Sequence, residues 1–320
     1  MLRRTVLASL LAPAFAALAQ DPYPSKPVKL IVGYAPGGGT DIVARILTPA
    51  LSEELGQSVY VDNRPGASGT IGALALARAP ADGYTLMMGV VSLNAVQPSL
   101  NPNLPYDTQK DLLPVTLTAS VPHFIAVHPS LPVRTLAQLV AYAKEHPTDI
   151  SFPSAGNGTT PHLAGEIFKS LTGTKMLHVP YKSTGASLPD LISGQHKVSF
   201  DTYPTIAPLV RSGKLRALAV AAPARLPDFP DVPTATEAGI PFQMSTWYGL
   251  FAPRGTPPAI VSLLHAKTAR ALARPNVRTA LKEAGADDTV TKTPEEFASF
   301  VRADMERYAG IVKQAGIKLE

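Results

Sequence analysis

Apolar and polar positions along this chain keep two rhythms in alternation. From Val28 to Val91, short runs of β-branched and apolar residues (VKLIVGY, SVYVDN, YTLMMGVV) alternate with stretches in helical spacing. In DIVARILTPALSEELGQ the residues Ile42, Val43, Ile46, Leu47, Leu51 and Leu55 share one side of a helix. Pro49 inside it is expected to kink the helix or leave a carbonyl unpaired. TIGALALARA reads as the second helix. A second run starts near Phe124: FIAVHP, DISFPSAG, KMLHVPY, KVSFDTY and LRALAVA read as strands. Between them TLAQLVAYAKEH, PHLAGEIFKSLTG, ASLPDLISG and PTIAPLVRSG read as helices, three of them followed by Gly173, Gly194 or Gly213 as C-caps. The chain closes with PPAIVSLLHAKTARAL and with TPEEFASFVRADMERYAGIVKQAG, which opens on a capping box of Thr293, Pro294 and Glu296. Strands alternating with helices imply parallel sheets joined by right-handed crossovers.

The first 19 residues break this rhythm. Arg3 and Arg4 precede a charge-free apolar stretch that ends in Ala17-Leu18-Ala19. That is the pattern of a secretory signal cleaved after Ala19, and the paired arginines fit a general or a twin-arginine route. The stretch is shorter than a bilayer span and is interrupted by Pro13. Loss of Arg3 and Arg4 takes the formal net charge from +5 to +3. No dense Lys/Arg stripe accompanies it, which argues against a nucleic-acid partner. With no cysteine among the 320 residues, disulfides, thiolate metal sites and thiol nucleophiles are excluded. The remaining length suffices for two lobes with cores of their own.

Ligands of open parallel sheets sit beyond the carboxyl ends of the strands, so the turns there carry the candidate chemistry. Tyr34 ends the first strand, and Pro36, Gly37, Gly38, Thr40 and Asp41 follow it. NRPGASGT after the second strand supplies Ser68, and the third strand runs into Ser92. In the second run, PSAGNGTTPH supplies Ser154, Gly156, Asn157, Gly158, Thr159 and His162. YKSTGAS and DTYPT, with Asp201, follow two further strands. Residues 37–41 and 156–162 lie about 120 positions apart, and each feeds a helix N-terminus, where backbone N–H groups favour an anion. Each candidate has a plainer reading. Asp41 also fits a first-turn acid, His162 a structural hydrogen bond, and Asp201 and Thr202 helix capping. Trp247 fits the core or a cleft wall, and Lys182 fits either a ligand carboxylate or the bare surface.

Enzyme signatures are missing. GGGTD lacks the lysine of a phosphate-binding loop, residues 34–45 contain no G-x-G-x-x-G, and Ser68 is not in a G-x-S-x-G elbow. His162 and Glu166 are spaced for one metal, but no third ligand is evident, so neither metal nor cofactor is expected. An exported hydrolase or a ligand sensor remains the competing class.

YPSKPVKLIVGYAPGGGTDIVAR, NRPGASGTIGA, DGYTLMMG, PSAGNGTTPHLAGEIF, VPYKS, LPDFPDVPTATEAG and WYGLFAPRGTPP together resemble the Bug-type periplasmic receptors of the tripartite tricarboxylate transporter family, over nearly the whole mature chain. The resemblance implies a type II periplasmic-binding-protein fold. Two α/β lobes, each a mostly parallel sheet flanked by helices, close on a small mono- or dicarboxylate, aromatic and amino-acid acids included. It also implies membrane transporter subunits as partners, a monomeric receptor and a periplasmic location. Residues 20–122 with 230–320 are expected to form one lobe and 123–229 the other. Pro36, Gly37, Gly38 and Asp41 would hold a carboxylate together with Gly156, Gly158 and His162, partly through waters. Ser183 stands where the family often has glycine, and His196 and Lys197 replace a commoner Val-Asp pair. These departures bear on the distal end of the pocket.

Mass spectrometry of the exported protein is expected to find a chain that begins at Gln20. A mature protein retaining Arg3 and Arg4 excludes the signal reading.

Overall fold

The structure is a computed structural model describing residues 23–286 and 293–315; the signal-like segment lies outside the described residues. The first unit is β1 (Val28–Val32), α1 (Gly39–Leu55), β2 (Val59–Asn63), a 3-10 turn (Ala67–Gly69), α2 (Thr70–Ala77) and β3 (Thr85–Val90). A π turn (Ser92–Val96), α3 (Gln97–Leu100) and α4 (Thr108–Asp111) lead into β4 (Leu112–Val127). Next come α5 (Leu136–Glu145), β5 (Ser151–Ser154), α6 (Thr160–Thr172), β6 (Leu177–Pro180), α7 (Thr184–Ile192), β7 (Val198–Thr202), α8 (Tyr203–Arg211) and β8 (Arg216–Val220). The chain returns through β9 (Ser245–Pro253) to α9 (Pro258–Ala273), α10 (Pro275–Glu283) and α11 (Pro294–Ala315).

β1 carries VKLIV with all but Lys29 buried, the continuous apolar run of a parallel strand covered on both faces. It pairs in parallel with β2 on one side and β3 on the other. α1 continues through Pro49 without a break. The Arg45 carbonyl that Pro49 cannot satisfy is approached by the Thr48 hydroxyl at 3.5 Å. Gly56 and Gly173 adopt the left-handed conformation at the ends of α1 and α6. The N-cap half of the α11 capping box is in place: Thr293 Oγ1 accepts the Glu296 N–H at 3.1 Å.

Two long strands set the architecture. β9 lies antiparallel between β3 and the first half of β4, from Leu112↔Pro253 to Pro122↔Ser245. From His123 onward β4 instead runs antiparallel to β7 and β8. The continuous sheet order is therefore β2-β1-β3-β9-β4-β7, with β8 on the other edge of β4 and a separate parallel pair of β5 and β6. Parallel pairing, expected throughout, holds for β1 with β2 and β3 and for β5 with β6, while β7, β8 and β9 all pair antiparallel with β4, and β9 with β3. Residues 112–123 and 245–253 escaped the sequence reading, the first because Pro114 and Pro122 break its strand pattern. The ladder shifts register at Pro114/Thr116 and again at Leu117/Ala119, and Pro122 is its last pair, with Ser245. Residues 233–244, beyond the expected lobe boundary at 230, remain attached to the second unit. Val220 donates to the Pro233 carbonyl, Ala235 to Val220 and Met244 to Ala221, each at 2.9 Å.

The C-terminal helices return to the first unit, where α9 and α10 pack on α1 and α11 covers β4 and the π turn. Trp247 belongs to the core. It is 3 % exposed and packs with Phe251 and Phe297. Its indole N–H donates to Asp304 Oδ2 at 2.7 Å, and Asp304 Oδ1 accepts from Arg307 Nε. Asp304→Ala strands a buried indole donor and is expected to lower stability by about 1–3 kcal/mol. Urea denaturation measures this, and an unchanged midpoint refutes the role assigned to the pair.

Candidate functional site

The two glycine turns share one internal device. Gly37, at φ +86°, donates its N–H to Asp41 Oδ2 at 3.0 Å. Gly158, at φ +73°, donates to His162 Nδ1, also at 3.0 Å. In each case a first-turn side chain four residues on accepts the N–H of a left-handed glycine. Asp41 is further held by Arg45 Nε at 2.9 Å and Asn63 Nδ2 at 2.9 Å, and Asn63 also donates to the Tyr34 carbonyl. Burial pushes its carboxyl upward, but the hydrogen bonds from Arg45, Asn63 and the Gly37 N–H outweigh it and hold Asp41 below the usual range. Accepting at Nδ1 makes His162 the Nε2–H tautomer. Burial, aided by the Lys169 charge, lowers its pKa to about 4, so it is neutral near pH 7. Glu166, the other half of the i, i+4 pair, is taken by Lys169 at 2.8 and 2.9 Å. Among the described residues no cluster of three His, Cys, Asp or Glu could hold a metal.

These turns aim α1 and α6 at a common cavity of about 40 Å³, and the N-termini of α7 and α8 open on it as well. Gly38, Thr159, Ser183 and Thr202 are the four N-cap residues, and all of them line it. Only the Ser183 side chain caps its own helix, accepting the Ala186 N–H at 3.1 Å. Gly38, Thr159 and Thr202 provide no side-chain cap, which leaves N–H donors for an outside acceptor. The remaining wall is rich in hydroxyls, among them Tyr34, Thr40, Ser92, Thr160, Thr184, Thr246 and Tyr248, and holds no lysine or arginine. Two surface cavities, of about 640 and 560 Å³, are larger. Converging helix starts, not size, single out the small one.

Of the residues expected at the site, Tyr34, Gly38, Thr40, Ser92, Thr159 and Asp201 line this cavity. Ser68, Gly156 and Asn157 line the 640 Å³ cavity beside it. Pro36, Gly37, Asp41, Ser154, Gly158 and His162 line neither. Asp41, Ser154 and His162 build the turns instead, with Ser154 Oγ accepting the Gly156 N–H at 2.9 Å. Gly39 and Thr160, inside the two expected turns, line it as well, and the sequence reading missed Thr184, Thr202 as a lining group, Thr246 and Tyr248. YKST carried a signal for Thr184, since it too follows a strand; Thr246 and Tyr248 sit on the unrecognised β9.

The units meet tightly around the cavity. A Cβ on Gly39 would collide with the Tyr248 hydroxyl and lie 2.9 Å from Thr202 Oγ1, and one on Gly185 would lie 2.6 Å from the Pro36 carbonyl. Ala35 donates to the Lys182 carbonyl at 3.3 Å, and Gln97 Nε2 to the Asn157 carbonyl at 2.9 Å. Asp201 is the only ionisable acid in the wall. Its Oδ1 accepts the Thr202 N–H at 2.6 Å, yet burial dominates and pushes its pKa up to about 7.

The family described as tripartite tricarboxylate transporter family receptor matches residues 43–317. The chain belongs to this family. It is 38 % identical to the protein BugT of Bordetella pertussis, over 95 % of this chain and 94 % of that one. It superimposes on R. palustris Rpa4515 with adipate with a TM-score of 0.89 at 37 % identity, covering 92 % of this chain and 99 % of that one. On MatC from Rhodopseudomonas palustris with bound malate the TM-score is 0.86 at 36 % identity, covering 91 % and 100 %. The two-lobed periplasmic-binding-protein fold is thereby shown.

Both departures from the family pattern have structural work. Ser183 caps α7. His196 Nε2 lies 2.7 Å from the Tyr181 hydroxyl, whose own proton goes to Asp190 Oδ2 at 2.6 Å. His196 therefore donates at Nε2 and accepts from Ser151 Oγ at Nδ1, 2.8 Å away. It braces the turn that carries Lys182, Ser183 and Thr184 to the cavity. Lys197 contributes its carbonyl to the His128 N–H.

Asp201 makes stability depend on pH. Its folded-state pKa of about 7 exceeds the ordinary 3.8. Between those values the folded protein keeps a proton that the unfolded chain has released, so stability falls as pH rises through the window. Asp201→Asn is expected to abolish that decline, and its melting temperature should gain on the wild type from about pH 5 to about pH 8. Parallel melting profiles for the two proteins would contradict the assignment.

Proposed function

We propose that this protein is a periplasmic receptor that captures a small organic carboxylate between its lobes and delivers it to membrane subunits of a tripartite transporter. The observation that carries the reading is the convergence of four helix N-termini, three without side-chain caps, on one hydroxyl-lined cavity free of Lys and Arg. Such a site favours an anion through N–H dipoles, each helix start contributing about 0.3–1 kcal/mol when exposed and more when desolvated. It lacks the salt bridges that would slow release. Adipate and malate in the related R. palustris proteins support the ligand class. The secretory pattern of residues 1–19 supports export. The cavity is completed within one chain, which fits a monomer.

The lobes in this reading meet at two strand crossings. The first lies at Pro122/His123, where β4 changes partners. The second lies at Met244/Ser245 rather than near 230, because residues 233–244 hydrogen-bond to the second unit. His123 N–H donates to the Met244 carbonyl at 3.2 Å across that hinge.

One observation favours a hydrolase as the second reading. Ser154 Oγ lies 2.6 Å from His178 Nε2, the spacing of a nucleophile and its base. Ser154 is fully buried, however, lies outside the cavity wall and accepts the Gly156 N–H. Turn construction accounts for it.

Calorimetry with malate, adipate and matched monocarboxylates is expected to show binding tighter than about millimolar, with no conversion of the ligand. Gly39→Val, which obstructs the approach of Tyr248 and Thr202, is expected to abolish it. Hydrolysis of an ester or amide of a bound acid would support the hydrolase, and absence of binding by every acid would overturn the carboxylate reading.

A further inference from the structure

Three of the four helix starts at the small cavity meet at one buried acid. Asp201 lies near the end of β7, directly before Thr202, the N-cap residue of α8. A Cβ on Gly39, the first residue of α1, would lie 2.9 Å from Thr202 Oγ1. The hydroxyl of Thr184, the first residue of α7, reaches Asp201 and favours its charged form. Asp201 Oδ1 accepts the Thr202 N–H at 2.6 Å and the Thr202 hydroxyl at 3.3 Å, both from the residue that precedes the helix. The uncapped N–H groups inside α1 and α8 are left for another acceptor. A ligand carboxylate held by them is brought within the range of about 4–6 Å at which like charges shift each other's ionisation.

No counter-charge accompanies the pair. Among the described residues, no charged side chain of α1, α6, α7 or α8 lines the cavity. Asp41, on α1, is paired with Arg45. On β9 and after β1, burial holds the phenols of Tyr248 and Tyr34 protonated. On β4, Asp201 pairs with Phe124, and the adjoining His123 is neutral because burial lowers its pKa to about 3. Two carboxylates in such a space cannot both be ionised. Burial has already pushed Asp201 up to about 7, and an anion beside it pushes further in the same direction. An ordinary organic acid is the stronger of the two, so the shared proton resides on Asp201.

We propose that this receptor captures one proton together with its ligand: Asp201 enters the complex as the neutral carboxylic acid and donates its O–H to a ligand carboxylate. This inference rests on the carboxylate reading above and adds to it a side-chain donor and a second captured ion. The proton comes from solvent on capture and returns to solvent on release, and only the Asp201 O–H bond forms and breaks. A carboxylic acid kept neutral by its surroundings is a hydrogen-bond donor that an ionised one cannot be. The sign of the linkage follows. Below the Asp201 pKa of the free protein the proton is already in place and affinity is level. Above it the proton has to be taken from solution, so affinity falls as pH rises.

The test is calorimetry of the full mature protein with malate and with adipate from about pH 6.5 to about pH 9, where both acids are themselves ionised. At about pH 8, titrations in phosphate and in Tris, whose ionisation enthalpies differ, are expected to report about one proton taken up per ligand. Wild-type affinity is expected to fall by up to about tenfold per pH unit above about pH 7. Asp201→Asn carries an amide that donates at every pH. It is expected to take up no proton, to keep its affinity within about twofold across the range, and so to bind more tightly than the wild type at about pH 9. A purely structural Asp201 would change affinity equally at every pH. Melting profiles verify that the variant folds, and the proton count of the wild type stands without it. Wild-type uptake below about 0.3 proton, or the same uptake in Asp201→Asn, overturns the proposal while leaving the carboxylate receptor intact. Failure of the wild type to bind either acid at about pH 6.5 overturns both.

Discussion

A helix start buried without a cap leaves N–H donors that need an acceptor from elsewhere, and three such starts face one small cavity here. The donors belong to the main chain, so their direction is fixed by whole helices rather than by rotatable side chains. The turns around them are correspondingly rigid. Asp41 and His162 each spend their acceptor on a glycine N–H of the preceding turn, Arg45 and Asn63 complete Asp41, and Ser183 caps α7. The residues that looked most like ligand contacts hold the turns from behind. Smaller neighbours, Gly38, Thr159 and Thr202, stand at the cavity itself.

Closure follows from the same economy of small residues. Gly39 meets Tyr248 and Thr202, and Gly185 meets Pro36, at separations that a Cβ would forbid. Cross-unit bonds from Ala35 and Gln97 join these contacts. Among these buried wall residues each N–H dipole acts at lower effective dielectric than at a surface. An anion is held by several moderate donors and can leave when the lobes part. Asp201 limits this arrangement, since a carboxylate in an anion site is tolerated only with its pKa pushed up to about 7 by burial.

The strand crossings link the site to the point where β4 changes partners. Thr246 on β9 shares a hydrogen bond with Thr160 at the start of α6 and with His123 Nε2 on β4, each at 2.8 Å. His123 is the residue at which β4 leaves one set of strand partners for the other. A chain of three side chains therefore runs from the cavity wall to the point where β4 exchanges strand partners.

The local pattern of the chain determined most of its elements. Alternating apolar runs and helical spacing located β1 to β3 and β5 to β8, glycines marked helix ends, and Gly37 and Gly158 marked turns with left-handed backbone, because those signals are written within a few consecutive residues. The sequence likewise pointed to the turns beyond the strand ends, and six of the expected residues do line the cavity. The tertiary structure decided what depends on partners distant in the chain. β4 and the unrecognised β9 are strands because they pair with each other through Pro114 and Pro122, which local propensity disfavours. Thr246 and Tyr248 reach the cavity through that pairing. Asp41 and Asp201 are both acids at helix starts in the sequence. Only packing makes one an ionised brace bonded to Arg45 and Asn63 and the other a buried group with a raised pKa, since desolvation and hydrogen bonding are set by neighbours that the chain brings together in space.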